Sequence, residues 1–430
     1  MKNALRFSAL GFQHVLAMYA GAVVVPLIVG QSIGLTAEQL TYLVAIDIFM
    51  CGIATLLQVM SNRFFGIGLP VVLGCTFTAV TPMIQIGKSF GVTAIYGAIL
   101  VTGVVIILIS GFFGKLVRFF PPVVTGSVVT IIGVTLIPVA MTNMGGGDAA
   151  RELGEFGDPK HLLLSFGTLV FIILIYRLSK GFLKAISILV GLVVGTIAAY
   201  MMGMIDLTPV KEASYFHFPQ LFYFGMPTFN LSAIVTMLLV AIVSLVESSG
   251  VYFALGDICD REIKEKDLAK GYRAEGLAIT LGGLFNAFPY TTFSQNVGLI
   301  QMSGVKTRKV IYIAGGMLVT LGFIPKFAAI ATIIPDAVLG GAMIVMFGLV
   351  VSQGIKMLGP VVIGSQKNSM IVACSIGLGL GVSVVTDLFQ HIPGSIQILI
   401  SNGIVMGSFT AILLNIFFNI IGKQDHSFEK

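Results

Sequence analysis

Long apolar stretches follow one another along the whole chain and are separated only by short polar segments. Apolar residues make up 56% of the 430 residues and charged residues 10%, whereas soluble proteins carry about 25% charged residues. So few charges cannot cover the surface of a water-soluble fold of this size. Because a helix needs about 20 apolar residues to span a bilayer, the sequence predicts an all-α polytopic membrane protein whose solvent is the lipid bilayer.

The apolar stretches predict fourteen membrane spans joined by short connections, with no room for a soluble domain. We interpret the first stretch as a span, because it is too long for a signal peptide and lacks a small-residue cleavage site. An even number of spans places both chain ends on the same side. The predicted spans cover residues 8–30, 38–60, 68–87, 90–113, 120–142, 160–176, 185–205, 232–256, 272–287, 289–304, 309–325, 334–354, 368–388 and 399–422.

Positive charge is distributed unevenly between the two sides that these spans define. Of the 25 lysine and arginine residues, 20 fall on the side that holds the termini and 5 on the other. Because basic residues concentrate in cytoplasmic loops, both termini are predicted to be cytoplasmic. The net charge of +6 is spread over short loops, so we expect a protein of the cell membrane with no nucleic-acid partner.

Several kinds of chemistry leave no signature in this chain. Cys51, Cys75, Cys259 and Cys374 are scattered and lack the paired spacing of a zinc site or a disulfide framework. The sequence also contains no phosphate-binding GxxxxGK[ST] loop and no HExxH metal motif. We therefore expect no metal and no cofactor, and ATP-driven transport by this chain alone is disfavoured.

Two pairs of segments recur about half a chain apart. Residues 121–126 align with 335–340 at an offset of 214, and residues 70–77 align with 289–296 at an offset of 219. Seven spans per unit is an odd number, so the second unit must be inverted relative to the first. Inverted repeats with a site at their interface are a transporter architecture. Coincidence between glycine- and proline-rich apolar runs is the alternative explanation.

The segments that begin at Pro70 and Pro289 are unusual for membrane spans, because β-branched or polar residues follow each proline. Extended backbone at membrane depth is tolerated only where protein satisfies its amides. Residues 70–75 and 290–295 are therefore predicted to form short antiparallel strands that pair with each other in spans 3 and 10. Each would precede a half-helix that points its N-terminal amides at a ligand. Two proline-kinked helices are the alternative.

Polar side chains also lie inside the predicted spans. Glu247 lies in the eighth, Glu275 at the start of the ninth, His14 in the first, and Gln295 with Asn296 in the tenth. Ionisable groups at that depth cost at least about 2.5 kcal/mol and usually face a cavity. Glu247 is the strongest candidate for a group that carries a proton and accepts hydrogen bonds. A structural hydrogen bond is the alternative for Glu247, and a stronger alternative for His14.

The adjacent amides of Gln295 and Asn296 offer both donors and acceptors, which suits a flat heterocycle with N–H and C=O groups. Phe77 occupies the matching place in the other repeat, where an aromatic ring can stack on such a heterocycle. Asp47 in the second span fits a span-end or packing residue equally well, and we do not assign it to the site.

These residues resemble those of a known family, the nucleobase-ascorbate transporters, and most closely its bacterial xanthine permeases. The resemblance extends over the whole chain and is strongest at the amide pair of the tenth span. It implies two inverted seven-span repeats, a core domain of residues 1–118 and 231–332, a gate domain of residues 119–230 and 333–430, and a homodimer. The motifs that carry it are Gln13-His14, Glu247, Ala274-Glu275-Gly276, Ser294-Gln295-Asn296-Val297-Gly298 and Thr307-Arg308.

The same resemblance implies roles for individual residues. Glu247 and Gln295 would bind the purine directly, with the Ser294 backbone alongside and Asn296 setting specificity. Phe77 falls on the family's third-span aromatic position, which Thr76 precedes.

Two further positions follow from the family pattern. His14 falls on the first-span histidine and Glu275 on the ninth-span acid, which is usually aspartate in this family. The longer side chain of Glu275 leaves its hydrogen-bond partner open. We assign both to proton coupling or to the organisation of the site.

The resemblance implies a proton-coupled symporter that imports an oxidised purine, with xanthine as the leading substrate. Uric acid, another purine and uracil are alternatives within the family. An anion exchanger would need positive charge at the site, whereas the deep ionisable residues here are acidic. An intramembrane enzyme is the alternative from another class, but the Glu247 and Glu275 pair has no companion metal motif, so we expect no enzyme.

Overall fold

The structure, a computed structural model, describes residues 2–116, 120–385, 387–392, 397 and 400–421. Most of these residues are helical, which confirms the predicted fold class. Three basic residues of the charge count, Arg118, Lys423 and Lys430, lie outside the described residues. So do the predicted domain boundary at 118 and the predicted end of the last span at 422.

The first half of the chain is a series of helices interrupted by one short strand. A 3₁₀ turn, Phe77–Ala79, connects that strand to the helix that follows it. The elements are α1 Lys2–Ser32, α2 Ala37–Val59, β1 Leu73–Cys75, α3 Val80–Phe90, α4 Val92–Leu116, α5 Pro122–Met144, α6 Gly147–Glu152, α7 Pro159–Leu178, α8 Gly181–Ala185, α9 Ser187–Met201 and α10 Thr208–Glu212.

The second half repeats this pattern of helices around one strand. Its last helix continues into a π-helical turn, Ile416–Ile420. The elements are α11 Leu231–Ile258, α12 Glu265–Phe285, β2 Tyr290–Thr292, α13 Ser294–Ser303, α14 Arg308–Gly322, α15 Pro325–Thr332, α16 Asp336–Val362, α17 Gln366–Val384 and α18 Gly403–Asn415.

Within the described residues, nine helices are long and apolar enough to cross a membrane, and α14 with α15 forms a tenth such unit bent by 80°. The other four predicted spans correspond to α9, α12 and the two strand–half-helix segments, β1 with α3 and β2 with α13. Helix α12 begins at Glu265, seven residues before the predicted start at 272. The first turns of α12 carry Glu265 and Asp267, so this helix extends beyond the apolar stretch that marks the predicted span.

The two strands cross at the centre of the bundle and pair antiparallel, as the sequence predicts. Leu73 pairs with Thr292, and Cys75 pairs with Tyr290. The strands are shorter than predicted, because α13 already begins at Ser294. Every strand residue is buried, so the backbone amides at this depth are satisfied by protein, as a membrane interior requires.

The two halves use equivalent elements in equivalent ways. Pro121 and Pro335, the prolines aligned at an offset of 214, both precede a long helix and both have a φ angle of −65°. The strands begin at Leu73 and Tyr290, 217 positions apart, so the sequence alignment at 219 was two residues out of register.

Helix packing follows the same relation between the halves. Helix α2 packs on α14 in the way that α4 packs on α12, and α5 packs directly on α16. In an inverted repeat of seven spans, α2 in span 2 corresponds to α12 in span 9, and α4 in span 4 corresponds to α14 in span 11. The contact of α2 with α14 is therefore equivalent to the contact of α12 with α4. Most residues in the apolar stretches of α1, α2 and α5 are buried, whereas only 22% of those in α7 and α17 are. The crossing strands therefore lie in the buried part of the bundle.

Candidate functional site

The middle of α11 contacts both strand–half-helix segments through serine hydroxyls. The Ser244 hydroxyl oxygen lies 2.9 Å from that of Thr76, which follows β1. One helical turn later, the Ser248 hydroxyl oxygen lies 3.1 Å from that of Thr291 in β2. Glu247 belongs to this turn of α11 and has a half-buried side chain. The structure therefore places the predicted carboxylate where one helix meets both repeats.

Glu275 is fully buried on α12 and is the end of a hydrogen-bond chain across three helices. The Tyr252 hydroxyl of α11 donates to Glu275 Oε1. Gln58 Nε2 of α2 donates to the Tyr252 hydroxyl oxygen at 2.5 Å and to the Gly271 carbonyl at 3.1 Å. The sequence analysis missed Tyr252 and Gln58, because a tyrosine and a glutamine within apolar spans carry no motif of their own.

His14 and Asn296 form a buried pair that joins α1 to the first turn of α13. The Asn296 side-chain amide donates to the ring nitrogen Nδ1 of His14 and to the His14 carbonyl, both at 3.1 Å. Both amide hydrogens are used in this way, so Asn296 Nδ2 is not free to donate to a ligand. Asn296 Oδ1 is buried without a hydrogen-bond partner among the described residues.

Phe77 and Thr76 are both buried in contacts with other parts of the protein. The Phe77 ring lies edge-to-face with Phe347 of α16, with ring centroids 5.6 Å apart. The same ring is nearly parallel to that of Phe293, at 6.3 Å. The Thr76 hydroxyl accepts a hydrogen bond from the Thr78 amide at 3.3 Å, so this side chain caps the 3₁₀ turn that leads to α3.

Phe293, which the sequence analysis did not assign to the site, connects β2 to α13. A Cβ added at Gly74 would come within 2.5 Å of the Phe293 ring, and one added at Gly21 within 2.9 Å. Both glycines therefore leave the space that this ring occupies. The available signal was an aromatic residue directly before Ser294 and Gln295, in a segment already suspected of interrupting a helix.

A cavity of about 210 Å³ lies between α1 and α13 on one side and α7, α8, α9 and α16 on the other. Gln295 lines it together with Phe293, and Ala17 and Gly21 of α1 form the adjoining wall. The volume is below the lower end of about 300 Å³ that is usual for drug-sized ligands. Such a cavity suits a small, flat molecule.

The start of α13 offers polar groups to this cavity. Ser294 and Gln295 are exposed, and no side chain caps the helix at Phe293. Uncapped N-terminal amides and the helix dipole favour an electron-rich group nearby. In the first half, by contrast, a 3₁₀ turn precedes α3, and Thr76 caps it by accepting from the Thr78 amide. The two half-helices are therefore not equivalent as ligand-binding ends.

Of the predicted site residues, Gln295 lines the cavity, whereas Glu247, Phe77, Ser294, Asn296, Thr76, Glu275 and His14 do not. Lys184, which the sequence analysis counted only as a loop charge, also lines the cavity, with its ammonium 4.3 Å from the centre of the Tyr176 ring. The arrangement combines an amide, aromatic rings and an apolar wall. It can hold a flat heterocycle by stacking and by edge hydrogen bonds.

Inverted repeats, strands that cross inside an apolar bundle and a cavity at an interrupted helix together define a membrane transporter of the secondary type. Residues 6–388 match Xan_ur_permease, a permease family. The chain belongs to this family, the nucleobase-ascorbate transporters, and is a permease and not an enzyme.

Named relatives match this chain over nearly its whole length. A xanthine permease of Bacillus subtilis is 62% identical over 415 residues, which cover 96% of this chain and 94% of that protein. The uric acid permease PucK of the same organism is 63% identical over 425 residues, covering 99% and 98%. The uric acid transporter UacT of Escherichia coli is 42% identical and covers 97% of this chain and 86% of that protein.

Solved structures with the same architecture are far more distant in sequence. The transmembrane domain of the cyanobacterial bicarbonate transporter BicA has a TM-score of 0.67 at 18% identity, covering 89% of this chain and 97% of that one. SLC26A9 has a TM-score of 0.61 at 13% identity, covering 94% and 65%. These similarities show the shared fold of seven plus seven spans.

Proposed function

We propose that the chain is a proton-coupled symporter that imports an oxidised purine, with xanthine as its substrate, across the cytoplasmic membrane. The observation that carries the proposal is Gln295, whose side chain lines a small apolar cavity beside Phe293 at the uncapped start of α13. The names of the relatives, xanthine permease and uric acid permease, support a purine as the heterocycle.

In the proposed binding mode, the Gln295 amide donates to a purine carbonyl and accepts from a ring N–H. Glu247 accepts a second N–H, and the Ser294 backbone lies alongside. Phe77 stacks on the purine face. Because Phe77 contacts Phe347 of α16 in this structure, a purine that stacks on Phe77 has to move α16 away. Substrate binding is thereby linked to a rearrangement between the two halves of the site.

Glu275 and Glu247 are the proposed proton-coupling groups. An ionised Glu275 accepts the hydrogen bond from Tyr252, whereas a protonated Glu275 has a hydrogen of its own to donate. Protonation therefore changes the pairing of Tyr252 and, through it, of Gln58 on α2. Through this series of hydrogen bonds, protonation of Glu275 can alter the packing of α2, α11 and α12. His14 organises the site by holding Asn296.

Alternating access is proposed to occur between a core domain of residues 1–118 and 231–332 and a gate domain of residues 119–230 and 333–430. The cavity lies between α1 and α13 of the proposed core and α7, α9 and α16 of the proposed gate. A site at that boundary opens to one side or the other as the domains move. Cytoplasmic termini and a homodimer belong to the same proposal.

Uptake of radiolabelled xanthine by cells that express the chain tests the function. We expect uptake above that of vector-only cells, loss of accumulation when a protonophore is added, and competition by unlabelled purines. Xanthine uptake that a protonophore leaves unchanged would contradict proton coupling. Absence of uptake for every purine in the panel would contradict the substrate class.

Uric acid is the second candidate substrate, because PucK is as similar to this chain as the xanthine permease is. The same competition assay separates the two. If unlabelled uric acid inhibits uptake at a lower concentration than unlabelled xanthine does, uric acid replaces xanthine in the proposal.

A further inference from the structure

Asp47 is a fully buried carboxylate on α2 that the proposed mechanism does not use. Its Oδ1 atom accepts a hydrogen bond from the backbone amide of Phe288 at 2.7 Å and from the Tyr290 hydroxyl at 3.3 Å. Phe288 lies in the turn between α12 and β2, and Tyr290 is the first residue of β2. Burying a carboxylate at this depth costs free energy, so we expect Asp47 to have a function at this position.

Asp47 lies on α2 and Glu275 on α12, the corresponding helices of the two repeats. Gly52 of α2 packs against the Gly315 carbonyl of α14, and Gly276 of α12 packs in the same way against the Gly103 carbonyl of α4. Gly52 and Gly276 are therefore equivalent, and Asp47 lies one helical turn from the counterpart of Glu275.

Both carboxylates are fully buried, and each accepts a tyrosine hydroxyl. Their partners differ: Asp47 accepts from the Phe288 backbone amide and from Tyr290 of β2, whereas Glu275 accepts from Tyr252 of α11.

The backbone that Asp47 holds leads directly to Gln295. The Pro289 carbonyl accepts from the Thr76 amide at 2.9 Å, and the Phe293 amide donates to the Val72 carbonyl at 2.9 Å. The segment from Phe288 to the start of α13 is therefore bonded at several points and has little freedom. We therefore expect a displacement at Phe288 to shift the first turn of α13.

We infer that Asp47 is a positioning residue of the substrate site, whose carboxylate oxygen holds the turn before β2 and thereby places Gln295 at the cavity. The inference rests on the proposed function for its link to substrate affinity. It assigns different roles to two buried carboxylates on corresponding helices. Asp47 acts as a fixed acceptor, and Glu275 as a group that exchanges a proton.

Two substitutions at Asp47 test this role. Asp47→Leu removes both oxygens but adds bulk at a buried site, so Tyr290→Phe, which removes one hydrogen bond to Asp47 and adds no atoms, is measured beside it. Asp47→Asn keeps an Oδ1 acceptor for the Phe288 amide at nearly the same volume. We expect the KM of xanthine uptake to rise at least tenfold in the leucine variant and to stay within threefold in the asparagine variant. A purely structural residue would instead lower the amount of protein in the membrane and Vmax together, at an unchanged KM.

The matched comparison is Glu275→Gln, which we expect to abolish accumulation although its side chain also keeps an acceptor. If Asp47→Leu does not reach the membrane, Tyr290→Phe removes only the weaker hydrogen bond to Asp47, and we expect a severalfold rise in KM. If Asp47→Leu, or Tyr290→Phe in its place, reaches the membrane and has a wild-type KM, the inference is overturned. An Asp47→Asn variant as defective as Asp47→Leu would also overturn it, because charge and not acceptor geometry would then matter.

A measurement without substrate separates this inference from the proposed function. In a Gln295→Cys variant that also carries Cys259→Ser and Cys374→Ser, a charged maleimide reports how residue 295 faces the cavity. We expect Asp47→Leu, or Tyr290→Phe in its place, to change the labelling rate at least fivefold, and Asp47→Asn to leave it unchanged. Equal rates in all variants would overturn the positioning role, whereas loss of purine uptake by the unsubstituted chain would overturn only the proposed function.

Discussion

The polar side chains around the crossing strands fall into two groups. Glu275, Asp47 and Asn296 are buried and hydrogen-bonded to other elements of the fold, whereas Gln295 faces the cavity. The sequence could identify all four as unusual, because polar residues inside apolar runs stand out. It could not show which of them face a ligand, since partners such as Tyr252 and Phe288 come from distant parts of the chain.

At Glu247, replacement by glutamine tests whether a charged acceptor is needed. Glu247→Gln keeps the shape of the side chain but loses the charge, and a charge-assisted hydrogen bond contributes about 1.5–3 kcal/mol. Since about 1.4 kcal/mol corresponds to a factor of ten, we expect purine affinity to fall roughly 10- to 100-fold and accumulation to be lost. Initial uptake rates over a range of xanthine concentrations measure both.

Glu262→Gln is the control for this substitution, because the Glu262 side chain is 81% exposed. It makes the same chemical change outside the bundle and should leave uptake unchanged. Full uptake by Glu247→Gln would remove Glu247 from the proposed site.

At the scale of elements, the sequence predicted the strand pair correctly and made each strand longer than it is, while its alignment of the two repeats was two residues off. Proline followed by β-branched and polar residues indicated extended backbone, and the need to satisfy amides in the membrane indicated pairing. The register depends on contacts between β1 and β2 such as Leu73 with Thr292. All residues of both strands are buried, so no alternation of polar and apolar residues marks the register in the sequence.

Gly74→Ala tests whether the space beside β1 positions Phe293. The added methyl group would lie 2.5 Å from the Phe293 ring, so the ring or the strand has to shift, and such overpacking costs about 1–3 kcal/mol. We expect at least a tenfold loss of xanthine uptake per protein in the membrane. Uptake kinetics with quantification of membrane protein measure the effect.

Gly167→Ala in α7 is the matched control, because nothing lies within 4 Å of the added methyl group. In a helix this change stabilises by up to about 1 kcal/mol, so uptake should stay at the wild-type level. Equal activity of the two alanine variants would show that the Phe293 position does not matter.

At the scale of the whole molecule, the cavity lies between groups of helices that are proposed to move against each other. Ala17 lies on α1 of the proposed core, while Leu349 and Ile173 lie on α16 and α7 of the proposed gate, and all three line the cavity. The sequence predicted the inverted repeats from two short alignments. It could not locate the cavity, because the cavity wall combines residues from helices far apart in the chain.

Cross-linking across this boundary tests the movement. With a short, reducible thiol cross-linker, we expect Ala17→Cys with Leu349→Cys to lose uptake and to regain it after reduction. Ile173→Cys with Leu349→Cys joins two parts of the gate at the same cavity and should retain uptake. If both pairs lost uptake equally, blockage of the cavity and not restraint of domain movement would explain the loss.

The central claim is that this chain alone carries an oxidised purine through the membrane together with protons. Purified protein in liposomes tests it most directly, with labelled xanthine outside and a pH gradient that is acidic outside. We predict accumulation of chemically unchanged xanthine above the external concentration, and collapse of that accumulation when the gradient is dissipated. Equal internal and external xanthine under the gradient, or recovery of a chemically altered product, would contradict the account.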